Sequence, residues 1–118
     1  MKILQLSLSS AALILSAALA FPVTASDANN GYITYIYGTS NGAVLFNTSG
    51  VRGAVPACQG ASVPQRFAIN ASTVAGQAQA SLLLTAYSLH KQIYIHGSGV
   101  CDIWGDTETV NFFMMVED

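Results

Sequence analysis

His90 and His96 are the only imidazoles of the chain, and either could act as a general base or metal ligand if a nucleophile, thiolate or carboxylate stood beside it. The nearest acids in sequence are Asp102, Asp106 and Glu108, a cluster of oxygen ligands of the kind a hard cation prefers. Their spacing completes no calcium loop, so a solvated acidic loop is the plainer reading. His90 falls where a helix would end, a place that favours a cation, and His96 falls on the solvent side of a strand. Gly38-Thr39-Ser40-Asn41-Gly42 matches the G-x-S-x-G pattern of serine hydrolases, whose serine sits on a turn from strand into helix. Here a strand follows, and a chain this short cannot house that hydrolase fold, so the segment reads as a hairpin turn. No catalytic residue, metal site or cofactor motif is assigned.

Binding chemistry is better represented. Tyr35, Tyr37, Tyr94 and His96 occupy alternate strand positions and can share a sheet face, where amphipathic rings with polar tips suit a binding surface. Trp104, between Asp102 and Asp106, either plugs one end of a barrel or stacks on a sugar ring or a partner. These seven residues are the candidate binding set. Asn47-Thr48-Ser49 and Asn70-Ala71-Ser72 fit the glycosylation sequon, a pattern short enough to recur by chance in a chain rich in Ser and Asn.

Met1-Lys2, the apolar run from Ile3 to Leu19 and the small residues after it have the layout of an export signal. Cleavage fits after Ala20 or after Ala25; the second is preferred because Ser26 to Gly31 reads as a polar leader. The apolar run is shorter than the ~20 residues that span a bilayer, and no later segment is long enough. The mature chain then runs from Ser26 to Asp118 as one domain. At about 93 residues it is near the lower end of what a single core stabilises alone. An oxidising compartment and an even cysteine count pair Cys58 with Cys101 in a disulfide that staples it. Three cations, Arg52, Arg66 and Lys91, face six acids in that chain, a formal charge of −3. Three scattered cations cannot neutralise a phosphate backbone, which excludes nucleic acid as a partner.

The elements that must position these groups follow from periodicity. Gly31 to Tyr37 alternates as a strand, with Ile33, Tyr35 and Tyr37 on one side. Asn41-Gly42 turns the chain and Ala43 to Thr48 returns as a second strand. Ser49 to Pro64 is a long loop, Gln65 to Ile69 a short strand, and Ser72 or Thr73 caps a helix. That helix buries Ala75, Ala78, Leu82, Ala86 and Leu89, widened by Leu83 and Tyr87. Gln92 to His96 and Glu108 to Val116 complete the set, the last with Val110, Phe112, Met114 and Val116 on one face and Phe113 and Met115 outward. The order β-β-β-α-β-β is that of a five-stranded oligonucleotide/oligosaccharide-binding (OB) barrel; an antiparallel sheet covered by one helix is the alternative.

The stretches Pro56-Ala57-Cys58, Arg66 to Thr73, Ala75-Gly76-Gln77-Ala78 and Gly99 to Asn111 resemble a family of small, uncharacterised exported proteins of Gram-negative bacteria. The resemblance covers the mature chain and implies one disulfide-bonded domain with no activity to transfer. In size and element order the chain is also similar to the B subunits of toxins of the subtilase-cytotoxin kind, which form rings and bind glycans. Their sugar-binding residues have no matching motif here. The reading is an exported, periplasmic or secreted, non-enzymatic binding module for a glycan or protein, with a homo-oligomer as the toxin resemblance implies. Two alternatives differ in class. One is a small enzyme or enzyme inhibitor working through His96 and the Asp102 to Glu108 loop, favoured if His96 clusters with Asp102 or Asp106. The other is an assembly subunit whose Phe113 and Met115 complete an interface.

Overall fold

The computed structural model describes residues 24–117, so the predicted export signal over 1–25 lies, apart from its last two residues, outside the described residues. Seven elements follow: β1 (Asp27–Gly31), β2 (Ile33–Gly38), β3 (Ala43–Thr48), β4 (Arg66–Asn70), α1 (Val74–Ser88), β5 (Ile93–Gly97) and β6 (Glu108–Met115). They build a six-stranded sheet in the order β1-β5-β6-β4-β3-β2. Neighbours are antiparallel except β4 and β6, which run parallel. β1 and β2 stand at opposite edges although Tyr32 alone separates them in sequence, so the sheet curls into a half-barrel.

The concave side holds the core. Ala28, Ile33, Phe46, Phe67, Ile69, Ile93, Ile95 and Val110 from the strands close on Leu83 and Ala86 of α1. The turn between β2 and β3 is made by the predicted residues. Gly42 takes φ +85°, open to glycine at no steric cost, and the Thr39 hydroxyl accepts from Ala43 N. Cys58, between β3 and β4, is bonded to Cys101, between β5 and β6. Among the described residues no helix is long and apolar enough to cross a membrane.

Four expectations need correction. The polar leader Ser26 to Gly31 is strand β1, because Asp27 and Ala28 pair with His96 and Ile95, and this ladder overrides the poor strand propensity of Asp and Asn. β2 pairs Ile33 with Thr48 but Tyr35 with Asn47, so Thr34 is an extra residue; Ile33 and Ile36 turn inward while Tyr35 and Tyr37 turn out. The same happens in β6, where Val110 pairs with Gly97 and Phe112 with His96. The bulge at Asn111 reverses the faces beyond it, so Phe113 packs on the core while Phe112 and Met114 are 43% and 48% exposed. Finally, α1 buries Gly76, Leu83 and Ala86, leaving Leu82 and Leu89 exposed. A helix that is apolar nearly all round does not declare its inner side by periodicity.

Candidate functional site

The β2–β3–β4 ladder sets the convex face. Tyr35, Asn47 and Arg66 form one cross-strand row, and Tyr37, Leu45 and Ala68 the next. Paired residues share a face, and this one is turned away from Phe46 and Phe67. The rings of Tyr35 and Tyr37 lie 5.9 Å apart, tilted by 31°, and both are exposed. Arg66 is held at three points: Nη2 donates to Asp106 Oδ1 at 2.7 Å, Nε to Thr107 Oγ1 at 2.9 Å, and Nη1 to the Tyr37 hydroxyl at 3.2 Å. Because β2 and β4 flank β3, the Arg66–Tyr37 bond passes over β3, where Leu45 is fully buried. There Asn47 Oδ1 is buried with no hydrogen-bond partner, a condition unique to it among buried side-chain polar atoms of the described residues. Buried acceptors are ordinarily paired with protein groups or water.

Round the edge of β2, Ile36, Tyr37, Gly38 and Val44 meet Ala80 and Leu84 of α1 at a cavity of about 240 Å³ whose lining is almost wholly apolar. Tyr37 stands between this cavity and the polar face.

A second group occupies the convex face of β1–β5–β6. Asp27, His96 and Phe112 are successive cross-strand partners, and Tyr94 pairs with Met114. His96 Nδ1 is bonded to Asp27 Oδ1, and its ring stacks on Phe112 with centroids 5.0 Å apart. The Tyr94 hydroxyl donates to Asp27; this bond, and then His96, hold the carboxyl below its usual range, and the same bond pushes the Tyr94 hydroxyl up.

The acids of the loop do not act together. Asp102 Oδ1 accepts from the Thr109 hydroxyl, Asp106 holds Arg66, and Glu108 is fully buried. This last corrects the reading of Glu108 as part of a solvated loop. Its Oε1 meets Arg52 Nη2 at 2.7 Å and its Oε2 accepts from Gly99 N at 2.8 Å. Arg52 lies 3.9 Å over the Phe67 ring, and burial lowers its pKa against the counter-pull of Glu108. Trp104, half-buried, bridges to Thr107 and shapes the loop that presents Asp106. His90 takes φ +50° beyond the helix end and stacks on Tyr32 at 4.1 Å.

The seven predicted residues therefore divide. Tyr35, Tyr37 and Asp106 meet on one surface, Tyr94 and His96 on another, and Asp102 and Trp104 shape the loop. The clustering of His96 with Asp102 or Asp106 that would favour an enzyme or inhibitor is not found; its partner is Asp27. Sequence reasoning missed Asp27, placed in a leader, Asn47, noticed only for its sequon, and Arg66, counted as a scattered cation. Only the strand register, which brings Tyr35, Asn47 and Arg66 into line, could have found them.

No protein-family model matches the chain, and neither does any curated protein or solved structure.

Proposed function

We propose that the chain is an exported, non-enzymatic binding module that takes a saccharide on the convex face of β2–β3–β4. The observation that carries this reading is the orphaned acceptor Asn47 Oδ1 between an exposed tyrosine pair and a tethered Arg66–Asp106 pair. A sugar ring offers an apolar C–H face for Tyr35 and hydroxyls that both donate and accept. The 3.2 Å Arg66–Tyr37 bond is the longest of the three that hold Arg66, and so the one a sugar hydroxyl would displace to reach Asn47. The contacts to Asp106 and Thr107 keep the guanidinium in place meanwhile, which lowers the ordering cost of binding.

Strand order supports the same reading. Taken as one bent strand, β1 and β2 leave five strands in the succession of an OB-like barrel, with the helix between the third and fourth. Such barrels take ligands on the face of their second and third strands and with the loops after the first and fourth. Those places hold Asn47, Arg66 and Asp106 here. An overall negative charge favours an oligosaccharide over an oligonucleotide. The disulfide is compatible with an oxidising periplasmic or extracellular location. We place the chain, on its sequence resemblance, with small exported Gram-negative proteins; its likeness to toxin B subunits rests on this barrel reading.

Screening the disulfide-bonded protein on a glycan array, followed by calorimetry on the best hit, tests the reading. Tyr35→Ala should weaken binding about tenfold or more, the loss of one stacked ring, without changing the unfolding temperature. No glycan bound, or equal affinity for the variant, overturns it. A protein partner is the second reading, favoured by the exposure of Phe112 and Met114 beside Tyr94 and His96. Phe112→Ser would abolish that binding and leave the glycan response intact.

A further inference from the structure

We propose that export cuts the Ala25–Ser26 peptide bond, that Ser26 is the amino terminus of the working protein, and that the buried Glu108 carboxylate receives its ammonium. The proposal rests on the export reading, keeps the second of its two cleavage sites, and adds to it an acceptor for the new terminus.

The sequence motif and the structure meet at one bond. Val23-Thr24-Ala25 places small or β-branched side chains where a signal peptidase reads them. Among the described residues burial changes across the same bond: Thr24 is exposed and Ala25 half-buried, whereas Ser26 is 2% exposed. Ser26 is also held by hydrogen bonds from several directions. Its N donates to Glu108 Oε2 at 3.1 Å, its hydroxyl donates to Glu108 Oε1, and its carbonyl accepts from Gly97 N at 2.9 Å. Arg52 Nε donates to the same Ser26 hydroxyl at 2.8 Å. A fully buried glutamate thus points both carboxylate oxygens at the first two polar atoms of the predicted mature chain.

The chemistry is a hydrolysis by a signal peptidase, a membrane-bound endopeptidase of the export machinery. Water adds its oxygen to the Ala25 carbonyl carbon, the C–N bond breaks, Ala25 leaves as a carboxylate, and the Ser26 nitrogen takes up protons to become an ammonium. Nothing is oxidised or reduced. The neutral N–H···carboxylate contact at 3.1 Å becomes a charge-assisted pair, and departure of Ala25 opens the remaining ammonium hydrogens to solvent. The other charges near the site are accounted for. Arg52 shares Glu108 but also donates to Pro64 O, Arg66 O and Gln59 Oε1, while Asp27 turns to the convex face and is occupied by His96 and Tyr94.

The test uses the full chain with its own leader, expressed in a Gram-negative host. The exported protein is recovered and its intact mass and first residues determined. A chain beginning at Ser26 is expected. An exported chain beginning at Phe21, or elsewhere, overturns this proposal alone; a chain that stays in the cytoplasm with its leader overturns the export reading and this proposal with it. The second measurement needs no mutation. Periodate cleaves the amino alcohol of a free amino-terminal serine to an aldehyde that a hydrazide probe reports. With nitrogen and hydroxyl both engaged by Glu108, the folded protein should react about tenfold or more slower than the same protein in urea. Equal rates would mean that Glu108 does not hold the terminus.

Discussion

Two ion pairs in this fold have the same 2.7 Å separation and opposite surroundings. Arg52 and Glu108 have side chains 2% and 0% exposed, whereas Asp106, opposite Arg66, is 52% exposed. Removing one partner of a buried pair strands the other charge, so Glu108→Ala should cost about 3–5 kcal/mol. Asp106→Ala should cost no more than about 1 kcal/mol, because water takes over from the lost carboxylate. Urea unfolding of both variants checks the ranking, and equal losses would show that Glu108 is better solvated than its geometry implies. Asp27 provides a pH test at the same scale. Its carboxyl is held below the ordinary carboxylate value by Tyr94 and then His96, so its contribution to stability is present above that ordinary value and lost as pH falls through the lower folded one. The difference in unfolding temperature between wild type and Asp27→Asn should therefore vanish as the Asp27 carboxyl is protonated in acid. A difference that persists to low pH would assign the effect to the shape of the side chain rather than its charge. Tyr35 and Tyr37 were legible as surface aromatics because alternation alone puts them on one side. Their partners were not, since Asn47 and Arg66 meet Tyr35 only through the register of three strands.

At the scale of elements, the sequence announced most strands and the helix but not which way they face past an irregularity. Thr34 and Asn111 each insert one residue into a ladder, and every side chain beyond them changes sides. No composition rule marks either residue as a bulge, so the expected faces of β6 hold at Val110 and fail at Phe112. β1 was missed for a related reason: DANNG is poor strand sequence, and its pairing with β5 comes from the curled sheet rather than from local preference. The helix carries a sharper consequence. Thr73 caps it by accepting from Gly76 N, and Gly76 lies against the end of β4, where an added Cβ would stand 1.6 Å from Asn70 O. In an exposed helix Gly→Ala stabilises by roughly 0.5–1 kcal/mol. Here the sign reverses, because the new methyl must push α1 off β4. Gly76→Ala should lower the urea midpoint by the equivalent of about 2 kcal/mol. A rise instead would mean that the helix start shifts freely against the sheet, contrary to its contact with Asn70.

For the molecule as a whole, the element order from β2 onward and the disulfide were readable, and the path that turns them into a half-barrel was not. The difference lies in the linkage through Tyr32, by which one stretch of chain supplies both edges of the sheet. The disulfide acts at the same scale. Cys58 and Cys101 are 43 residues apart in sequence, and closing a loop of that length stabilises by about 4 kcal/mol on the chain-entropy account. Replacing both by serine should lower the free energy of unfolding by an amount of that order. A second effect separates this staple from one that acts on the unfolded chain alone. The loop between β3 and β4 touches the proposed saccharide face where Gly60 N donates to Asp106 O at 2.8 Å, and Cys101 lies in the loop that carries Asp106. With the bridge gone, Asp106 is less firmly held and the Arg66 tether loosens at that end. Calorimetry well below the unfolding midpoint should then show weaker saccharide binding in the double variant although the protein is still folded. Unchanged affinity with reduced stability would confine the disulfide to the unfolded state, and would leave Thr107 and Tyr37 to hold Arg66 in position.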